Sequence, residues 1–251
     1  MKKLTFVLSF ALVIVLSACG GSNQTAQNEE DGNTDNRASS SSEQNEYVLK
    51  LAHAYPTASF MHTFMEWFNE EVQKRSDGRL SIDIYPNGQL MPVDQEIPAI
   101  LQDQIDMSHS LSPVLASFDP IWNFYELPFV FNYDPKDPTV FIENRATFNE
   151  DENGGQKIAA MMEEKGLKIL SMGFVDMFGS LYTTKSENLV TDPDSAKGLK
   201  IRTAGGIIGP EAVKAIGASS MTVPGSELAT ALQQGVVDGV LSTPIFVNDA
   251  K

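Results

Sequence analysis

Thiols are almost missing from this chain: its 251 residues include one cysteine, Cys19. No disulfide can close within it, and no cluster of thiolates can hold a metal. Histidine is scarce as well. His53, His62 and His109 are scattered along the sequence with no paired acids at ligand spacing, which argues against a metal site. Positive charge is in short supply: 18 Lys and Arg face 33 Asp and Glu, for a formal charge of −15. That balance argues against nucleic acid, and against anionic lipid as a direct partner. An anionic ligand would need positive charge placed locally at its site. Gly-x-Ser-x-Gly, a phosphate-cradling glycine loop and His-Glu-x-x-His are all missing, and Gly205-Gly206 is too little for a nucleotide loop.

The longest apolar run, Leu4 to Leu16, is too short for a permanent membrane span. Lys2 and Lys3 precede it and the small residues Ser17 and Ala18 follow, the pattern of a secretory leader over residues 1–18. Leu16-Ser17-Ala18-Cys19 resembles the bacterial lipobox. That resemblance implies cleavage before Cys19 and an acyl chain such as palmitate on its thiol. Attachment to the extracytoplasmic face of the cell membrane would then be through the lipid alone. The other reading is a plain secretory signal with an incidental cysteine. From Gly20 to Glu46 the chain is Gly, Ser, Asn, Gln, Thr, Asp and Glu with almost nothing apolar. Such a segment buries too little to order itself. With Cys19 it forms a tether over 19–46 whose reach is roughly 30 Å.

Past residue 46, strand and helix periods alternate, which predicts an α/β fold with largely parallel pairing. Strands are expected at 47–53, 80–85, 105–110, 167–174, 181–184, 199–203 and 236–242. Helices are expected near 60–77, 97–101, 138–146, 155–166, 209–216 and 227–234. Phe60, Phe64, Trp67 or Phe68, and Val72 recur at helical spacing and read as a core stripe. Residues 119–131 read as a loop packed by its own aromatics. Ser226 is a fair N-cap, with Gly235 at the C′ position of the same helix. The chain stops after the last strand and a loop, so a continuation is expected.

The folded part resembles the solute-binding proteins of TRAP transporters, the tripartite ATP-independent periplasmic systems, and within them the dicarboxylate-binding type. Leu49 to His53, Gly78 to Leu90, Glu126-Leu-Pro-Phe-Val-Phe131, Lys197-Gly-Leu-Lys-Ile-Arg202 and Leu228 to Gly239 carry the resemblance, in that order over some two hundred residues. It implies a two-lobed periplasmic-binding-protein-like receptor, with lobe 1 at 47–173 and an incomplete lobe 2 at 174–251. A small organic acid would be captured in the cleft between lobes. The loaded receptor would deliver it to TRAP membrane permease subunits driven by an ion gradient.

Arg202 occupies the position of the family's carboxylate-binding arginine. Its chemistry agrees, because a guanidinium offers a carboxylate two parallel N–H donors. At the end of a parallel strand it would face the crevice where open α/β sheets bind ligands. The competing reading is a surface arginine paired with an acid. Other family positions differ here. A second arginine corresponds to about Ser180, an aromatic before Ser-Glu to Gly225, and an asparagine to the stretch Val240–Pro244. The expected set is therefore Arg202 with Ser180, Ser242 and Thr243. Tyr55, Ser110 and Ser112 at lobe 1 strand ends join it, though each also reads as an ordinary loop residue. One cation, a missing aromatic wall and nearby hydroxyls point to a ligand bulkier or less charged than a dicarboxylate. No cofactor is expected. A receptor serving a signalling partner and an extracytoplasmic enzyme are the rival classes.

Overall fold

The computed structural model describes residues 45–173, 175 and 179–249. The leader, Cys19, nearly all of the tether, and Phe174 and Phe178 lie outside them.

Parallel strands β1 (Tyr47–His53), β2 (Leu80–Tyr85) and β3 (Met107–His109) make a first sheet in the order β2-β1-β3. Helix α1 (Phe60–Arg75) crosses from β1 to β2. Ser59 Oγ accepts the Met61 N–H at its start, and Lys74 and Arg75 sit in its last turn, where cations suit the helix dipole. The expected helix is present, and Phe68 and Val72 of the expected stripe pack against the first-sheet core, but the other aromatics of the stripe do not. Met61, His62 and Met65 are buried, while Phe60 is 67% exposed and Phe64 and Trp67 also point outward. The spacing fits two adjacent faces, and the methionines fill the irregular space against Leu51 and Ile82.

Helix α2 (Val93–Ile100) precedes β3, and α3 (Ser112–Phe118) follows it directly. Residues 120–126, read from sequence as loop, form a 3-10 helix whose Trp122 packs with Ile97, Ile158, Met162 and Leu167. Helices α4 (Thr139–Glu150) and α5 (Gly155–Glu163) stand where expected. The strand expected at 167–174 is not found among its described residues. The carbonyls of Met172 and Gly173 accept from the Asn149 and Arg145 side chains instead of a neighbouring strand. Its apolar residues still pack in the core, so burial alone produced the strand-like pattern.

The second sheet contains β4 (Ser180–Thr183), β5 (Lys200–Thr203), β6 (Ser219–Thr222) and β7 (Gly239–Ser242), in the order β4-β7-β5-β6. Its strand β4 runs antiparallel to β7, and the other pairs are parallel. Helix α6 (Ile208–Ala215) buries Val213 against Ile201, Ala196 and Ala218. Burial of a side chain the size of Val213 or Ile201 contributes about 1.5–3 kcal/mol. Helix α7 (Leu228–Gln233) starts after a 3-10 turn at Gly225–Glu227, and Glu227 rather than Ser226 is its first cap residue. Gly235, at φ +68°, ends it as expected. A helix not foreseen, α8 (Pro244–Asp249), follows β7. Its Phe246 packs into the core of the first sheet, beside Tyr55 and Met61.

Candidate functional site

In a parallel sheet the carboxyl ends of the strands share one edge, and the residues just past them line a crevice. On the first sheet these residues are His53 to Tyr55 after β1 and His109 to Ser110 at the end of β3. On the second they are Arg202 and Thr203 of β5, Thr222 and Val223 after β6, and Ser242 of β7. Ser180 joins them because β4 is antiparallel, and it pairs with Ser242 across the ladder.

Arg202 is 3% exposed. Its Nε–H donates to the Val223 carbonyl at 2.8 Å, and Phe246 lies with its ring centre 5.4 Å from the guanidinium carbon. Burial pulls its ionisation down to about 10. Among the described residues no carboxylate forms an ion pair with it. This arginine is therefore not a surface residue paired with an acid. Because Nε is committed to Val223, the terminal nitrogens form its remaining fork.

Facing the second sheet is Tyr55, 1% exposed. Its ring meets His109 at 5.4 Å and Phe246 at 6.3 Å between centres. Burial first, then the charges of Asp249 and Glu96, push its phenol above the usual range. Glu96 of α2 is fully buried, and burial raises its carboxyl to about 8. The Ser108 hydroxyl lies beside it, outside hydrogen-bonding geometry, and offsets part of that rise. Tyr55 Oη, both Glu96 oxygens, His109 Nδ1, Ser110 Oγ and Asp249 Oδ2 are all buried without a hydrogen-bond partner among the described residues. Each such atom costs about 1–3 kcal/mol. Gathering them from β1, α2, β3 and α8 at one edge marks a surface built to receive polar groups.

The histidines are not scattered in space. Tyr55 N–H donates to His53 Nδ1 at 3.1 Å, so neutral His53 carries its proton on Nε2. That nitrogen lies 3.1 Å from His62 Nδ1, and His62 Nε2 lies 3.3 Å from Glu66. Burial, His62 and His109 together lower His53 to about 4. This chain of bonds props the Tyr55 backbone from below.

Of the sequence-derived candidates, Arg202, Tyr55 and Ser110 present buried polar atoms at this edge. Ser180, Ser242 and Thr243 lie beside one another at the end of the second sheet, and Ser180 is exposed. Ser112 is turned aside, with its hydroxyl bonded to Glu126. Sequence reasoning missed Glu96, Phe246 and Asp249. A cleft of about 150 Å³ opens beside Phe246 and Asp249 of α8, lined also by Pro56 and Asn87 from the loops after β1 and β2 and by Gly225 and Ser226 from the 3-10 turn before α7.

Comparison with known proteins adds the following. The family described as bacterial extracellular solute-binding protein, family 7, matches residues 51–251. The chain is 28% identical over 193 residues to the 2,3-diketo-L-gulonate-binding periplasmic protein YiaO of Escherichia coli, covering 76% of this chain and 54% of that one. It is 29% identical over 201 residues to the C4-dicarboxylate-binding periplasmic protein DctP of Rhodobacter capsulatus, covering 78% and 56%. The sugar acid binding protein DctPAm of Advenella mimigardefordensis, solved in complex with galactonate, superposes with a TM-score of 0.71 at 23% identity, over 82% of this chain and 63% of that one. That likeness establishes the two-lobed α/β fold. The chain spans little more than half the length of the curated relatives it matches.

Proposed function

The chain belongs to the bacterial extracellular solute-binding proteins of family 7, and from that premise we propose that it is the receptor of a TRAP-type transporter for a small organic acid. One observation carries the reading. Arg202 is a buried cation with no acid pairing it among the described residues, at the crevice edge of a parallel sheet. A desolvated guanidinium held by a single carbonyl is completed by a carboxylate, which accepts its two free N–H groups in one plane. The relatives bear on the same point, since their names refer to a diketogulonate and to C4-dicarboxylates.

Two lobes, 47–173 and 174–251, would close on the ligand, each with one of the two sheets. Tyr55 and Ser110 would meet the ligand from the first, and Arg202, Ser180, Ser242 and Thr243 from the second. We read the cleft as one that binds rather than transforms. His109 and Ser110 present unpaired atoms, not a bonded base and nucleophile. Among the described residues no helix is long and apolar enough to cross a membrane. Attachment through acylated Cys19 would keep the receptor next to its permease subunits, and the tether would leave it free to turn.

A thermal-shift screen of the full chain against organic acids and their amides tests the reading. A ligand at 100 times its dissociation constant adds about 2.7 kcal/mol of stability. Stabilisation by an acid and not by its amide is expected. A response to amides equal to that of the acids would remove the carboxylate receptor.

A further inference from the structure

We propose that His62 is a positioning residue whose protonation loosens Tyr55, so that ligand affinity falls as the medium turns acid. This rests on Tyr55 as part of the ligand-binding edge and adds a control over it. The contacts beneath Tyr55 form a chain with a single polarity. The Tyr55 N–H donates to His53 Nδ1 at 3.1 Å, so that nitrogen carries no proton. Neutral His53 then holds its proton on Nε2 and donates it to His62 Nδ1, 3.1 Å away. Neutral His62 in turn holds its proton on Nε2, 3.3 Å from the Glu66 carboxylate. Every donor points from the buried backbone towards the surface. His53 is fully buried, the His62 side chain is 10% exposed and that of Glu66 is 56% exposed.

Such a chain has no place for another proton. Histidine is the side chain that ordinarily titrates between pH 5 and 8, and His62 lies nearer solvent than His53. A second proton on His62 can sit only on Nδ1, where it would face the Nε2–H of His53 with no acceptor between them. His53 cannot switch tautomer, because a proton on its Nδ1 would meet the Tyr55 N–H. One of the two buried bonds must break, and the Tyr55 backbone loses its support. The Tyr55 ring touches His109 and Phe246, and Phe246 lies on Arg202, so the disturbance reaches both sheets. Titratable groups bear on the chain from each neighbouring element. Glu66 on α1 attracts the proton on His62, His109 on β3 bears on His53, and Glu96 on α2 and Asp249 on α8 bear on Tyr55. From β2 come the apolar Ile82 and Ile84. Between pH 7 and 5.5 the buried neighbours hold their states. Burial, with His62 and His109, keeps His53 at about 4, burial keeps Glu96 at about 8, and burial leaves Arg202 at about 10.

Nitrogen NMR of the full chain without ligand reads the relay directly. At pH 7 His53 and His62 should both carry their proton on Nε2, and the hydrogen-exchange protection factor of the Tyr55 amide should fall between pH 7 and 5.5. In His62→Asn, Oδ1 takes the place of Nδ1 and does not titrate, so the protection factor should stay constant. Calorimetry then uses D-galactonate, whose carboxyl stays ionised over this range. Wild-type binding should be about fivefold weaker at pH 5.5 than at pH 7, the worth of one neutral hydrogen bond, with no such change in His62→Asn. A proton on Nδ1 of either histidine at pH 7, a constant Tyr55 protection factor in the wild type, equal wild-type affinity at the two pH values, or an equal loss in wild type and His62→Asn would overturn the proposal. An absence of galactonate binding at both pH values would count against the carboxylate receptor instead, and the tautomers and the Tyr55 amide would still decide the relay.

Discussion

Gly225 and Phe246 compete for one volume: a Cβ built on Gly225 would stand 2.5 Å from Cζ of the Phe246 ring. The absence of a side chain at 225 is therefore what lets α8 bring its aromatic onto Arg202. The resemblance led us to expect an aromatic wall at 225 and to count it as missing. The fold provides one from α8, whose Phe246 ring occupies the space beside Gly225.

That competition is measurable as a coupling. Gly225→Ala should displace the ring and weaken ligand binding. In a Phe246→Ala background the same substitution should cost almost nothing. Groups in contact couple by about 0.5–3 kcal/mol. Additive effects in calorimetry of the two single variants and the double variant would mean that the ring does not depend on the glycine.

Glu96 and His53 give the apo protein a pH optimum. Glu96, raised to about 8, holds its proton in the fold while the unfolded chain loses it near 4.5. Its contribution is full below 4.5 and falls as pH rises through 8. His53, lowered to about 4, stays neutral in the fold while the unfolded chain takes a proton below 6.5. Its contribution is full above 6.5 and falls as pH drops through 4. Between 4.5 and 6.5 the two slopes cancel, and from 6.5 to 8 Glu96 alone acts, costing about 2 kcal/mol. Urea unfolding at pH 6.5 and 8 should show this fall in the wild type and its loss in Glu96→Gln. An equal fall in both proteins would contradict the burial argument.

Cys19 is the sole thiol and directly follows Leu-Ser-Ala. Cys19→Ser should abolish acylation and release or misprocess the protein. A radiolabelled-palmitate assay with membrane fractionation checks it, and a variant still labelled and sedimenting with membranes would refute the anchor.

Much of the layout was legible because periodicity is local. Leu80 to Tyr85 alternates and is a strand; Lys197 to Arg202 runs from a turn into β5 and delivers its arginine to the edge. Tyr55 could be found because it directly follows β1. The residues that complete the site left no such trace. Glu96 lies in a short helix beside Ile97, where a glutamate ordinarily reads as a solvent-facing position, yet it is fully buried. Phe246 sits in a six-residue helix, too short to impose a period, and its contacts with Tyr55 join opposite ends of the folded chain. The Ser226 cap signal was real chemistry in the wrong place, because the 3-10 turn shifted the start of α7 by one residue.

Arg202 should be costly to the unliganded protein and favourable to its carboxylate complex. Burial lowers its ionisation to about 10, so the fold carries a charge it disfavours at every pH below that value, by about 3 kcal/mol. A buried charge with no ionic partner is costly to the fold, and an apolar side chain of similar volume relieves that cost. Arg202→Met should thus raise the melting temperature of the apo protein while weakening carboxylate binding. Arg202→Lys should retain only part of the affinity. An ammonium keeps the charge but loses both the Nε–H donated to Val223 and the planar fork. Hydrogen bonds to charged groups contribute about 1.5–3 kcal/mol, which corresponds to roughly tenfold to a few hundredfold in affinity for the Met variant. Opposite signs for apo stability and ligand affinity are the signature of a binding residue, since a merely structural arginine would lose both together. Thermal melts of the apo proteins, paired with calorimetry against the best acid from the screen, separate the two cases.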